Sequence, residues 1–171
     1  MGMALVIEEQ YLPATLTAGP MSDEEFAAVC AKYPDYFIEM TAEGEIIIMP
    51  PNYPFTAAQS GESFRQLSNW AEIDRRGIAT DASGGFVLPS GARRSPDAAW
   101  IPKDRMSAED SKRAKTLWHL CPAFVIEPRS TSDRLPKLRR KMQEWIDNGV
   151  HHRGMERMRR AQAPRFDAGD L

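Results

Sequence analysis

The sequence predicts a single α/β domain in which helices and strands interleave, and three observations carry that prediction. A capped helix opens at Ser22, the apolar run Glu45-Ile46-Ile47-Ile48-Met49 stops at Pro50-Pro51, and a strand-length run over 123–127 precedes a well-delimited helix over 133–149. With 171 residues, 42% hydrophobic and 27% charged, the chain holds enough apolar material for one buried core.

The elements follow in order. In Met21-Ser22-Asp23-Glu24-Glu25-Phe26, Ser22 is placed to cap a helix and Glu25, three residues on, to complete a capping box; the helix ends near Lys32. Tyr36, Ile38 and Met40 alternate with Phe37, Glu39 and Thr41, and Glu43-Gly44 turns the chain into the run at 45–49, which reads as a β-hairpin. Over 55–75, Phe64, Leu67, Trp70 and Ala71 form one apolar helical stripe, with Gly77 as its stop signal; this is the longest helix expected. Three short strands follow at 78–81, 85–88 and 97–101, separated by Ser83-Gly84 and Pro89-Ser90-Gly91. The polar stretch 103–115 reads as a surface excursion without a core role.

In the last helix, Ser132 or Asp133 supplies the cap, Pro136 suits the first turn and Asn148-Gly149 ends it. Leu135, Leu138, Met142, Trp145 and Ile146 form its buried stripe. At about 100° per residue, Lys141 projects beside Leu138 and Trp145 at the edge of that stripe, from where its ammonium can reach a neighbouring cleft.

Composition excludes several functional classes. Lys plus Arg number 22 against 24 Asp plus Glu, a formal charge of −2, so any nucleic-acid contact must be local rather than a basic coat. Cys30 and Cys121 are far apart with no C-x-x-C, which gives neither a disulfide framework nor a thiol zinc site; reduced thiols and a cytoplasmic location are expected. The apolar opening at 1–7 lacks a basic lead and meets Glu8-Glu9, too short for a signal peptide or membrane span, and Val6 breaks the myristoylation pattern. Of three histidines, only His119 lies in the body of the chain, and it is expected to be a packed loop residue. G-x-S-x-G, phosphate-loop and G-x-G-x-x-G signatures are absent.

Carboxylates, lysines and arginines remain. Ser95-Pro96-Asp97 enters one apolar strand, Ile126-Glu127 ends another, and Lys141 flanks the apolar face of the next helix. Phosphodiester hydrolysis calls for oxygen ligands that hold a hard divalent cation, and for a cation beside the transition state's extra charge. Two carboxylates at adjacent strand ends and a nearby lysine supply those parts.

The runs MSDEEFAAVC, GEIIIMPP, SGGFVLPSGARRSPDAAWIPKDR, LCPAFVIEPRSTSD and KMQEWIDNG closely resemble the Uma-two family of nucleases, a branch of the PD-(D/E)xK restriction-endonuclease-like superfamily, over roughly 21–149. The resemblance implies a core with a central mixed β-sheet flanked by helices, a Mg²⁺ or Mn²⁺ site, DNA as substrate, and a homodimer as one way to cut two strands. It places the PD aspartate at Asp97 and the (D/E)xK acid at Glu127, the two metal ligands. The lysine of that element falls on Arg129, which can hold phosphate charge bidentately but stays protonated in proteins, and Lys141 matches a family helix lysine that can replace it; Lys141 or Arg129 is expected to stabilise the scissile phosphate. Glu39 matches a recurrent family acid, although a cross-strand surface charge is its favoured reading; Glu62 is a weaker candidate.

The chain departs from the family at Pro128, which removes a ladder donor, and after Gly149. There the family continues with strands of the type G-W-L-I-D, whereas this chain reads VHHRGMERMRRAQAPRFDAGDL. An endonuclease-like domain over 1–149 that lacks those last strands, followed by a basic, poorly ordered tail over 150–171, is therefore expected. Two functions follow: a metal-dependent DNA endonuclease, or a catalytically inactive remnant that binds nucleic acid or a protein through Arg93-Arg94, Arg139-Arg140-Lys141 and the tail. A plain α/β domain with solvating charges is the third reading.

Overall fold

The computed structural model describes residues 12–107, 117–129 and 135–151. In chain order these form β1 (Ala14–Thr17), α1 (Asp23–Lys32), β2 (Phe37–Met40), β3 (Glu45–Met49), α2 (Pro54–Asp74), β4 (Gly77–Asp81), β5 (Phe86–Val87), β6 (Arg93–Arg94), β7 (Ala98–Pro102), β8 (Phe124–Ile126) and α3 (Leu135–Asp147). Helices and strands interleave as the sequence predicts. The expected single mixed sheet resolves into two antiparallel sheets, ordered β1-β3-β2-β6-β5 and β4-β7-β8. Among the described residues one parallel pairing exists, the bridge between Phe86 and Trp118.

Local chemistry explains most of the boundaries. Ser22 Oγ accepts the Glu25 N–H at 3.2 Å while Glu25 Oε2 accepts the Ser22 N–H at 2.8 Å, so both halves of the capping box form at the start of α1. The β2–β3 hairpin pairs Ile38 with Ile48 and Met40 with Ile46. Met40, Ile46 and Ile48 with Phe26 of α1 make one of three buried clusters among the described residues, and Ile38 packs against it. Gly44 turns the hairpin with φ +85°, and a Cβ there would lie 2.4 Å from the Gly19 carbonyl carbon.

Two strands lie where no strand is predicted. β1 pairs along β3, with Ala14 opposite Ile48, and the two-residue β6 joins β2 to β5. The end of α2 also differs from expectation: Arg75, in the left-handed region at φ 59°, caps it. Gly77 instead opens β4, where a Cβ would meet Ile101 O at 2.4 Å and Trp100 Nε1 at 2.5 Å. Close approach of two strands, rather than helix termination, is what requires a glycine there.

α2 packs on β4 and β7, burying Leu67 and Ala71 against Ala98, Trp100 and Phe124. Trp70 stands edge-on to Trp100 with ring centroids 5.2 Å apart. In α3, Trp145 is fully buried among Phe86, Leu88, Ala99 and Ile101. Leu135, expected in that stripe, is exposed at the first residue of the helix, and the predicted caps Ser132 and Asp133 lie outside the described residues. Beyond Gly149, Val150 is buried in the core and the His151 N–H donates to Ala123 O at 3.1 Å. The packed unit thus reaches His151; residues 152–171 lie outside the description.

The excursion after β7 begins with a 3-10 turn, Lys103–Arg105. Arg105 Nη1 donates to the carbonyls of Cys121, Pro122 and Gly149, stapling three segments together. Met106 packs against the core, so the start of the excursion has a packing role that the sequence reading denied it. Cys30 and Cys121 are both free thiols. Among the described residues no helix is long and apolar enough to cross a membrane.

His119 is not packed in a loop as predicted. Its side chain is half exposed, with Nε2 2.5 Å from Asp23 Oδ2. The other Asp23 oxygen accepts from Arg93 Nη2 at 2.7 Å. Arg93, itself buried, also donates to Met21 O at 2.9 Å and covers the Phe26 ring at 5.3 Å. Asp23 thereby ties the first turn of α1 to β6.

Burial opposes the Asp23 charge, but hydrogen bonds from Arg93 and His119 outweigh it and hold the carboxyl below its ordinary 3.8. A depressed carboxyl pKa stabilises the fold above the unfolded value and loses that contribution as pH falls through the folded one. Asp23→Asn is therefore expected to lower stability by about 1 kcal/mol at pH 7, the partial exposure of the carboxylate screening the loss. In denaturant titrations the difference from wild type should begin to shrink as pH falls below 3.8 and be gone once pH is below the lower value of the folded carboxyl; an equal difference at pH 7 and in strong acid would contradict this role.

Candidate active site

Asp97 immediately precedes β7 and Glu127 immediately follows β8. The antiparallel register pairs Ala98 with Ile126, so Asp97 and Glu127 occupy the next cross-strand position, where facing side chains are neighbours. Both line one cavity of about 710 Å³. Ser60, on α2, donates its hydroxyl to Asp97 Oδ1.

α3 delivers three more groups from one face, at i, i+3 and i+4. Lys141 Nζ lies 2.8 Å from Glu127 Oε1, 3.1 Å from Glu127 Oε2 and 3.1 Å from Glu39 Oε1. Glu144 receives a forked pair of bonds from Arg94, 2.7 Å from Nε and 3.0 Å from Nη2. Trp145 Nε1 donates to Glu127 Oε1 at 3.1 Å. Arg94 Nη1 then reaches Glu39 Oε2 at 3.2 Å, and the Ser95 N–H donates to Glu39 Oε1 at 3.1 Å.

Glu39 is therefore not a surface charge. It is 3% exposed and bridges Lys141 to Arg94 in the middle of the network. Its place between Ile38 and Met40 of an apolar strand is the signal that could have marked it. Arg94 and Glu144 carry no local signature, because their pairing spans 50 positions. Arg93 and Arg94 are both buried and ion-paired, so neither offers the phosphate-binding surface expected of that dipeptide. Arg129 is exposed and does not line the cavity. Glu62 pairs with Arg65 on α2 at 2.5 Å, also away from the cavity lining.

The electrostatics are uneven. Burial pushes the Glu127 carboxyl up to about 6; Lys141 opposes that rise, while the charges of Glu39 and Asp97 add to it. Glu39 is more deeply buried, yet Lys141, Arg94 and the Ser95 amide hold it below the usual carboxylate range. Lys141 pays a desolvation penalty, but Glu39 and Glu127 raise its pKa above that of an ordinary lysine. Within this bonded network four carboxylates (Glu39, Asp97, Glu127 and Glu144) face two cations (Arg94 and Lys141).

Among the described residues no three His, Cys, Asp or Glu side chains gather closely enough to hold an ion by themselves. Asp97 and Glu127 nevertheless supply two neighbouring hard-oxygen donors in a negatively unbalanced cavity. That set fits a cation such as Mg²⁺, which takes one or two carboxylates and keeps several waters.

The site thus sits on a mixed α/β fold, two antiparallel sheets with helices packed on them and acids at the ends of adjacent strands. The model of the Uma2 family, described as "putative restriction endonuclease", matches residues 23–154, and the chain belongs to that family. A solved structure from Anabaena variabilis ATCC 29413, described as a putative nuclease belonging to DUF820, is similar with a TM-score of 0.57 and 19% sequence identity. The match covers 77% of this chain and 70% of that one, and at that identity the likeness is one of fold. No curated protein matches the chain.

Lys141→Met leaves Glu39 and Glu127 facing each other without their shared cation. The expected outcome in denaturant titration at pH 7 is a loss of about 3 kcal/mol, the scale for orphaning a buried charge. Glu127 should also titrate above its present value of about 6, read by carboxyl-detected NMR. A variant with unchanged stability and unchanged carboxyl titration would show that the ammonium does not hold the two acids.

Proposed function

We propose that this chain is a metal-dependent DNA endonuclease that hydrolyses phosphodiester bonds. The observation carrying the reading is the cross-strand adjacency of Asp97 and Glu127 in a cavity into which Lys141 projects. Asp97 and Glu127 would hold Mg²⁺ or Mn²⁺, which when bound supplies charge neutralisation at the phosphate and a lower pKa for a coordinated water. Ser60 fixes the Asp97 carboxylate and Trp145 fixes that of Glu127, so neither acid has to be ordered when substrate arrives. Lys141 stands beside Glu127 to stabilise the charge that grows on the phosphoryl oxygens as water adds and the ester P–O bond breaks. Glu39 and Arg94 position that lysine from behind.

Arg129, the residue at the lysine position of the family motif, has no part in this arrangement; Lys141 takes its place. A second reading, an inactive nucleic-acid-binding remnant, is favoured by one observation: both Glu127 oxygens already accept from Lys141, and one also from Trp145.

Plasmid cleavage with Mg²⁺ or Mn²⁺ distinguishes the two. Cleavage is expected in wild type, to be lost in Asp97→Asn and Glu127→Gln, to fall about a hundredfold in Lys141→Ala, and to stay within about twofold in Arg129→Ala, the scale of a peripheral surface change. Nicking that persists in both carboxylate variants would remove those residues from the mechanism. A folded wild type that binds DNA without cutting it would favour the remnant.

A further inference from the structure

The cavity is also lined by residues that hydrolysis does not use. Phe37 sits two residues before Glu39 on β2, on the same face of the strand and about 7 Å further out, and is 39% exposed. Tyr53, Thr56 and Ser60 share a face of α2 at i, i+3 and i+7. Tyr53 thus stands about 10 Å along the helix from the residue that bonds Asp97. Tyr53 is 80% exposed and occupies the N-cap of α2 without making a side-chain cap bond, a position that favours Ser, Thr, Asp or Asn. Neither packing nor capping accounts for an aromatic residue there. Both rings line the cavity that holds Asp97 and Glu127.

Another wall of the cavity has the opposite character. Lys137, Arg140 and Lys141 lie at i, i+3 and i+4 on α3 and all line the cavity. Lys137 and Arg140 are exposed, unlike Lys141, which is committed to the two glutamates. The cavity lining therefore includes aromatic side chains on β2 and at the start of α2, exposed cationic side chains on α3, the acids Asp97 and Glu127, and the exposed Glu43 and Glu45.

We propose that the cavity takes single-stranded DNA, with unpaired bases stacked on Phe37 and Tyr53 and the backbone phosphates held by Lys137 and Arg140. This deepens the nuclease reading and rests on it for the identity of the phosphate at Asp97 and Glu127. Stacking on a side chain requires a base whose face is not already covered by its neighbour, which a closed duplex does not offer and a single strand does. A cavity of about 710 Å³ is also of the size that encloses small molecules, suited to a nucleotide or two.

The test is fluorescence anisotropy with wild-type protein in EDTA, using labelled oligothymidylate, the same strand annealed to oligodeoxyadenylate, and an abasic strand of equal length. Wild type is expected to bind oligothymidylate at least about tenfold more tightly than either the duplex or the abasic strand, within the range measured for base–aromatic stacking. Tyr53→Ala and Phe37→Leu, the latter keeping apolar bulk without a π face, should each lose about tenfold on oligothymidylate and leave abasic binding unchanged. Equal or tighter binding of the duplex, or variants that bind oligothymidylate like wild type, would overturn the proposal. Cleavage keeps the two readings apart. Asp97-dependent cutting that ignores both aromatic substitutions retains the nuclease and rejects the stacking shelf; aromatic-dependent binding with cutting indifferent to Asp97→Asn does the reverse.

Discussion

The ammonium of Lys141, lodged between Glu39 and Glu127, is the interaction on which the rest of the site depends. It joins three elements that sequence separates widely: β2, the end of β8 and α3. Without it two buried carboxylates would meet at close range, an arrangement that low-dielectric surroundings punish by protonating one of them. Burial still raises Glu127 despite its lysine, and the charges of Glu39 and Asp97 add to that rise. Arg94 completes the balance from the other side by engaging Glu39 and Glu144 together. The buried polar centre is thereby bonded at every member, which is the condition under which such a network orders a core rather than weakening it.

The same geometry links packing to chemistry. Trp145 fills the core beneath α3 and turns its N–H toward Glu127, so the residue that docks the helix also aims the acid. Ser60 does the equivalent for Asp97 from α2. Each acid at the strand ends is thus oriented by a helix that packs on the sheet. Within this network the carboxylates Glu39, Asp97, Glu127 and Glu144 outnumber the cations Arg94 and Lys141.

Much of the fold was legible because its signals are local. The Ser22–Glu25 capping box, the alternation through Glu43-Gly44, the α2 stripe and the Ala123–Ile126 run all act within a few residues of themselves. β1 escaped because the alternation in Ala-Thr-Leu-Thr runs for only four residues, and β6 because Arg-Arg carries no apolar pattern; pairing with β3 and β2 makes them strands. Asp97, Glu127 and Lys141 were recognisable as an ordered set, and the register at Ala98–Ile126 brings the two acids together. Glu39 was misjudged because a charged residue in a hairpin reads as solvent-facing until its partners are known. Those partners, Arg94 and Lys141, stand 55 and 102 positions away, beyond anything periodicity can register. His119 and the arginine pair at 93–94 were misplaced for the same reason: burial and ion pairing were decided by distant segments.

The most direct measurement is anomalous diffraction at the manganese edge from crystals grown with Mn²⁺. The expected result is a single strong peak at the Asp97 and Glu127 carboxylates, with Lys141 still within hydrogen-bond reach of Glu127 and Glu39. A peak seated elsewhere, or none while Lys141 and Trp145 keep the Glu127 oxygens, would contradict a metal-assisted nuclease at this site.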